Sequence, residues 1–231
     1  MQKTNIEQLQ EIAEAMQDLN ERLVYVGGVV TGLYATTPLA TEPRPTTDVD
    51  CVVNTTSYSE HVAFEELLRA KHFKNDQTPG APLCRWIYNG KTVDVMPIGE
   101  NALLFGNPWY MPGYNKREPY TLPTGKTIYI LPVTYYIASK INALLLRGGN
   151  DWRGAKDFED IVCVLNYCTD FIDKIKTEDT KVQSFVSKQF AQMIKRPNIS
   201  EEIECALSPD EIEGIGKVLE TMKRIAEYQS C

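Results

Sequence analysis

The chain changes its pattern at Pro132. Every segment with a strand pattern lies before this residue, and four segments with helical periodicity follow it: 133–146, 153–167, 178–193 and 209–228. We therefore expect an α+β fold, in which residues 1–131 form a mixed β-sheet with flanking helices and residues 132–231 form an all-helical half.

The first half contains short strands separated by helices and turns. Helical periodicity covers residues 6–23, 29–34 and 57–70. Strand patterns cover residues 23–26, 48–53, 83–88, 91–96 and 126–131. The Asn89-Gly90 pair predicts a hairpin turn between the third and fourth of these strands. The proline-rich segment 36–47 is predicted to be a loop, and the aromatic segment 99–125 is predicted to be rich in turns.

The composition excludes several classes of protein. With 231 residues, 43% of them hydrophobic and 24% charged, the chain is suited to an ordinary globular core. Its net charge of −7 argues against a protein that wraps long nucleic acid by neutralising phosphates. It has no run of about eighteen apolar residues, and its first residues are acidic, so we expect a cytoplasmic protein without a membrane partner. Six cysteines without a CxxC pair, and two histidines, predict reduced thiols rather than a zinc site.

Two aspartates on alternate residues of one predicted strand are the first indication of chemistry. Asp48 and Asp50 lie on the same face of that strand, where two like charges are unfavourable unless a cation compensates them. The pair by itself has an ordinary alternative, a turn aspartate followed by an aspartate at a strand edge. Asp94 strengthens the functional interpretation, because a single carboxylate within the apolar strand 91–96 is costly without a partner. If the two strands are neighbours, three carboxylates converge.

Three converging carboxylates suit phosphoryl or nucleotidyl transfer with two Mg²⁺ ions. Asp48 and Asp50 would hold one ion together with a nucleoside triphosphate, and all three carboxylates would hold a second ion near the attacking hydroxyl. Asp94 is also a candidate to take the proton of that hydroxyl. Gly27 and Gly28 end the first predicted strand, and without side chains they allow backbone amides to approach the β- and γ-phosphates.

These residues carry a resemblance to a known family. A glycine turn, an Arg-x-Thr-x-Asp-x-Asp string and a later lone aspartate resemble the DNA polymerase beta nucleotidyltransferase superfamily; in this chain they are Gly27, Gly28, Arg44, Thr46, Asp48, Asp50 and Asp94. Together with Lys140 and the motif Lys156-Asp157-x-x-Asp160, the string is more similar to the AbiEii branch, the nucleotidyltransferase toxins of bacterial toxin–antitoxin systems. The resemblance covers residues 22–165.

The resemblance implies a nucleotidyltransferase-type mixed sheet with the aspartates on neighbouring strands, and a helical half that closes the active-site cleft. It implies transfer of a nucleoside monophosphate from a triphosphate to a hydroxyl, with Mg²⁺ held by Asp48, Asp50 and Asp94. Contacts with the nucleotide are implied for a second set of residues: Gly27, Gly28, Arg44, Thr46, Lys140 and Asp157. Lys140 is expected to contact the triphosphate and to share in catalysis. The chain has Gly-Gly where many superfamily members have Gly-Ser, so it lacks the hydroxyl that would also contact a phosphate.

The acceptor of the nucleotide stays open at this stage. A toxin of the AbiEii branch implies tRNA, for example its 3′ end, or a protein hydroxyl as acceptor, and an antitoxin protein as partner. The alternatives are an antibiotic-modifying enzyme with a small hydroxylated acceptor and a non-catalytic nucleotide-binding module. For Lys140 the ordinary explanation is a surface helix pair joined by salt bridges. The aromatic residues of segment 105–120 either stack on a base or cover an edge of the core.

Overall fold

The structure is a computed structural model that describes residues 3–39, 42–99 and 106–228. The chain forms two compact units. The first contains the described residues up to Val30 and from Pro45 to Pro132, and the second contains the described residues from Thr31 to Arg44 and from Val133 onward. The predicted α+β fold is confirmed, because a mixed sheet with flanking helices is followed by a helical half. Closure of a cleft by the helical half stays a prediction.

A seven-stranded mixed sheet forms the centre of the first unit. Its strands are β1 (Leu23–Val26), β2 (Asp48–Asn54), β3 (Lys74–Asn75), β4 (Arg85–Tyr88), β5 (Lys91–Ile98), β6 (Glu118–Thr121) and β7 (Thr127–Ile130). They lie in the order β3-β4-β5-β2-β1-β7-β6. β1 pairs with β7 and β2 pairs with β5 in parallel, whereas the other neighbours are antiparallel. The helices of this unit are α1 (Asn5–Met16), α2 (Tyr58–Ala70) and α3 (Tyr110–Asn115).

The central strands carry the apolar core of the first unit. All four residues of β1 are buried, and Val49 of β2 and Val93 of β5 are also buried. Because side chains alternate along a strand, Asp48 and Asp50 lie on the face of β2 opposite to Val49 and are half-buried. Burial of the apolar face therefore fixes the register that presents both aspartates together.

The first helix is shorter than the sequence pattern predicts. α1 ends at Met16, and a 3₁₀ helix, Gln17–Arg22, continues to β1. Gln17 has a φ angle of +53°, which a continuing α-helix does not allow. The Nδ2 atom of Asn20 donates to the carbonyl oxygens of Ala13 at 2.6 Å and Gln17 at 2.8 Å, and these bonds satisfy acceptors that the helix leaves free at its end.

The aromatic segment, which was predicted to be rich in turns, contains α3 and β6. Both elements are short and contain proline, so neither shows a clear periodicity. Trp109 and Tyr114 are buried, and the hydroxyl of Tyr114 donates to the carbonyl oxygen of Arg22 at 2.9 Å. These two side chains therefore cover the core of the first unit, as the ordinary explanation predicted. Phe105 lies outside the described residues.

The second unit consists mainly of helices. They are α4 (Val133–Arg147), α5 (Lys156–Tyr167), α6 (Phe171–Lys176), α7 (Thr180–Met193), α8 (Ile199–Ala206) and α9 (Glu213–Ala226). The four predicted helices are present, whereas α6 and α8 were not predicted because they are only 6 and 8 residues long. The first nine residues of α4, about two and a half turns, are buried on all sides, which makes this helix the centre of the unit. None of the helices in the described ranges has both the length and the hydrophobicity to cross a membrane.

Candidate metal and nucleotide site

The sheet places four residues, Val26, Asp50, Asp94 and Arg85, in one row across neighbouring strands. Asp50 of β2 lies opposite Val26, the last residue of β1, and on its other side it lies opposite Asp94 of β5. Asp94 in turn lies opposite Arg85 of β4. Gly27 follows Val26 directly. The pairing therefore joins the glycine turn, the aspartate pair and the third carboxylate, which are separated along the sequence.

The three carboxylates are close enough to share metal ions. One oxygen each from Asp48, Asp50 and Asp94 lies within 4.8 Å of the others. Asp94 is buried, and the other two side chains are half-buried. Carboxylate oxygens are the ligands that Mg²⁺ and Mn²⁺ prefer, so this set of donors fits a hard divalent cation. The geometry supports a metal site, while the identity of the metal stays a prediction.

Arg85 is a member of the row that the sequence analysis did not identify. Its guanidinium group contacts Asp94 through two hydrogen bonds, from Nε to Oδ1 and from Nη2 to Oδ2, each 2.8 Å long. Hydrogen bonding to Asp94 raises the pKa of Arg85, so the guanidinium is charged at every relevant pH. The sequence contains the information needed to predict this contact, because a two-residue turn at Asn89-Gly90 places Arg85 opposite Asp94 in the hairpin.

Two cysteines near the carboxylates are not reactive groups. Burial, and then the charges of Asp50 and Asp94, raise the pKa of Cys51 well above its ordinary value. Burial and the charge of Asp94 raise the pKa of Cys84 to about 11. Both thiols are therefore protonated at neutral pH, and neither is suited to act as a thiolate nucleophile.

Gly27 is required by the position of Asp50. Its φ angle is +73°, and a Cβ atom added to Gly27 would lie 2.0 Å from Oδ2 of Asp50. The turn therefore allows the backbone to pass directly beside a predicted metal ligand. Gly28 begins a 3₁₀ helix, Gly28–Tyr34, so the predicted strand-to-helix turn is present with a tighter helix. Contact of these glycines with phosphates stays a prediction.

We expect the Gly27→Ala substitution to impair the site more than it impairs the fold. The positive φ angle costs about 1–2 kcal/mol for alanine, and displacement of the Asp50 carboxylate is expected to lower nucleotidyl transfer about a hundredfold. Gly154→Ala is a matched control, because Gly154 also has a φ angle of +73° and an added Cβ meets no atom within 4 Å. Urea denaturation and the transfer rate are measured for both variants. Equal loss of activity in the two would contradict the role of the Gly27 contact.

Thr46 anchors the start of β2. Its amide donates to Oδ1 of Asn5 at 3.0 Å, and its carbonyl oxygen accepts from Nε2 of Gln8 at 3.0 Å. Its hydroxyl donates to the carbonyl oxygen of Asp48 at 3.3 Å. Thr46 is buried, so these contacts hold the two residues before Asp48 against α1. The predicted contact of Thr46 with a nucleotide stays a prediction.

The remaining predicted site residues belong to an ionic network around two buried carboxylates in the second unit, which we call the Asp160 network. It consists of Arg44, Lys140, Arg147, Asp157 and Asp160. Oδ2 of Asp160 contacts Nη2 of Arg44 at 2.9 Å and Nζ of Lys140 at 2.6 Å. Arg147 contacts both oxygens of Asp157, at 2.7 and 2.9 Å, and Nζ of Lys140 lies 3.5 Å from Oδ1 of Asp157.

The Asp160 network differs from the solvated salt bridges that the ordinary explanation assumed. Lys140, Asp157 and Asp160 are all buried. Burial raises the pKa of Asp160, but the charges of Lys140 and Arg44 more than offset it and hold the pKa below its ordinary value. Contacts of Arg44, Lys140 and Asp157 with a nucleotide stay predictions.

Comparison with known proteins informs the fold. No protein-family model and no curated protein matches the chain. Among solved structures, the chain is similar to an antigenic nucleotidyltransferase-like protein from Paracoccidioides brasiliensis. The TM-score is 0.52 and the sequence identity is 16%, over 90% of this chain and 95% of that protein. At this identity the likeness concerns the fold alone. The chain therefore has a nucleotidyltransferase-like fold, and this comparison does not support assignment to the AbiEii branch.

Proposed function

We propose that this protein is a metal-dependent nucleotidyltransferase, which transfers a nucleoside monophosphate from a nucleoside triphosphate to a hydroxyl group and releases pyrophosphate. One observation carries the proposal: Asp48, Asp50 and Asp94 converge within 4.8 Å beside the Gly27 turn, in a nucleotidyltransferase-like fold. A fold of this kind alone does not define a function. The convergence of three carboxylates supplies the chemical reason, because a protein without metal chemistry gains nothing from placing three like charges together.

The three carboxylates and Gly27 have roles that follow from their places. Asp48 and Asp50, on one face of β2, and Asp94, on β5, would supply the oxygen ligands of the shared cations. Gly27 keeps the space beside Asp50 free of side-chain atoms. Mg²⁺ bound by these carboxylates would neutralise phosphate charge and lower the pKa of the attacking hydroxyl. Proton transfer to Asp94 is a further proposal, in competition with its two hydrogen bonds from Arg85.

The acceptor is a proposal that depends on the sequence motif. The Arg-x-Thr-x-Asp-x-Asp string, with Lys140 and Asp157, favours an AbiEii-like toxin that modifies tRNA or a protein hydroxyl and has an antitoxin partner. The net charge of −7 makes a long nucleic acid a poor acceptor and is compatible with a short RNA end, a protein or a small molecule. ATP as the nucleotide, Mg²⁺ as the metal and a cytoplasmic location belong to the same proposal.

The test is a labelling panel with the purified chain, each of the four radiolabelled nucleoside triphosphates, Mg²⁺ and three acceptor pools. The pools are total RNA, total protein and small hydroxylated compounds that include aminoglycosides and lincosamides. We expect one labelled product class, and the class identifies the acceptor. Excess EDTA is expected to remove at least about 99% of the product, and added Mg²⁺ to restore it, because the carboxylates alone provide no positive charge for the triphosphate. Absence of label in every pool, or labelling that resists EDTA, contradicts the proposed function.

A further inference from the structure

Arg85 forms a bidentate contact with Asp94 in the row of site residues. The two hydrogen bonds to Asp94 are equal in length, and they join one edge of the guanidinium to both carboxylate oxygens. The side chains of Arg85 and Asp94 are 28% and 12% exposed, so water competes weakly for this contact. Paired donors of this kind fix the plane and the rotation of a carboxylate, which a single hydrogen bond does not.

The position of Asp94 makes such a constraint necessary. Its carboxylate lies next to those of Asp48 and Asp50, and mutual repulsion favours rotation of one group away from the other two. Arg85 lies on the far side of Asp94, on the neighbouring strand β4. It therefore both compensates one negative charge and holds the carboxylate in an orientation that keeps one oxygen near its neighbours.

The contact with Arg85 leaves Asp94 able to bind a cation. Each carboxylate oxygen has two lone-pair positions, and the two hydrogen bonds from Arg85 occupy one on each oxygen. Hydrogen-bond partners of metal-binding carboxylates commonly orient them in this way, and their removal typically weakens metal binding 10–100-fold.

We propose that Arg85 is a positioning residue, which preforms the second cation site by orienting Asp94 toward Asp48 and Asp50. The proposal rests on the proposed function, since it concerns the same three carboxylates. It assigns no contact between Arg85 and the substrate. A lysine at this position would retain the positive charge but would lack the planar pair of donors.

The test measures the binding of Mn²⁺ to the full chain without nucleotide. Electron paramagnetic resonance monitors the binding to wild type and to Arg85→Lys. We expect two sites in wild type, and in the variant a second site weakened at least tenfold with the first site changed less than threefold. Because lysine keeps the charge, weaker binding reports lost orientation rather than lost electrostatic compensation. The loss of kcat in the variant is expected to be recovered in part at high Mn²⁺ concentration, which a general structural defect would not allow.

Arg153→Lys is a matched control. Arg153 contacts Asp151 through the same pair of atoms, Nε at 2.8 Å and Nη2 at 2.7 Å, in an exposed position in the second unit. The control is expected to bind Mn²⁺ as wild type does. If Arg85→Lys binds Mn²⁺ at two sites with unchanged or higher affinity, the inference is wrong. If its activity is also lower while Mn²⁺ binding is unchanged, Arg85 contacts the substrate instead.

Failure of the inference is distinguishable from failure of the proposed function. If the wild-type protein binds two Mn²⁺ ions but labels no acceptor in the panel, the proposed transferase function is wrong. Mn²⁺ binding to Arg85→Lys then still tests the role of Arg85. Wild type that binds no Mn²⁺ overturns both. If the wild-type protein labels an acceptor and Arg85→Lys binds Mn²⁺ with the same affinities as wild type, only the inference about Arg85 is wrong.

Discussion

Replacing Asp50 by asparagine is expected to lower kcat/KM for nucleotidyl transfer about a thousandfold or more, with the fold intact. Asp50 is central in the row, between the Gly27 turn and Asp94, and it belongs to the set of converging carboxylates. Asparagine keeps the shape of the side chain and removes the negative charge that attracts a divalent cation. A thousandfold loss corresponds to about 4 kcal/mol of transition-state stabilisation, in the range expected for a lost metal site.

The Asp50→Asn experiment has two measurements and one control. Transfer is followed with the labelled triphosphate that the panel identifies, and Mn²⁺ binding is measured on the same preparation. Asp18→Asn makes the same chemical change at an exposed aspartate that pairs with Lys71 on the surface of the first unit, and it is expected to retain wild-type activity. Activity above one tenth of wild type in Asp50→Asn, with circular dichroism unchanged, would be incompatible with a catalytic metal at these carboxylates.

Local sequence patterns predicted the parts of the site that depend on neighbouring residues. The strand β1, which ends just before Gly27, follows from a short apolar run before glycine, and the hairpin of β4 and β5 follows from Asn89-Gly90. The shared face of Asp48 and Asp50 follows from the period of a strand. Arg85 could have been predicted from the same hairpin, because counting back from the turn pairs it with Asp94.

Contacts between distant segments could not be predicted from these patterns. The parallel pairing of β2 and β5 brings Asp50 opposite Asp94, and only the assembled sheet determines that pairing. The burial of Asp160 likewise depends on Arg44, which is 116 residues away in the sequence. A helical pattern of Lys, Asp and Arg is the same for a solvated surface and for a buried network, so the periodicity of α5 could not distinguish them.

Replacing Asp160 by asparagine is expected to lower the free energy of unfolding by about 3–5 kcal/mol at pH 7, because it removes the nearest carboxylate from the buried Lys140 and from Arg44. Oδ2 of Asp160 contacts both Arg44 and Lys140, and the Asp160 side chain is 1% exposed. Glu159, 3.6 Å from Arg44, and Asp157, 3.5 Å from Lys140, remain as more distant carboxylates, so the variant compensates the two cations only in part. Urea denaturation at pH 7 measures the change.

Asp173→Asn is the matched control for the Asp160 substitution, since Asp173 is 85% exposed and its nitrogen partner on Lys176 is 3.8 Å away. The control is expected to change stability by less than about 0.5 kcal/mol. The pKa of Asp160 is lowered in the folded protein, so its contribution is present at neutral pH and is lost as the pH falls from the ordinary range of an aspartate through that depressed value. The difference between wild type and Asp160→Asn should therefore shrink toward low pH. A loss under about 1 kcal/mol at pH 7, or a difference that does not change with acid, would show that the Asp160 network does not stabilise the second unit.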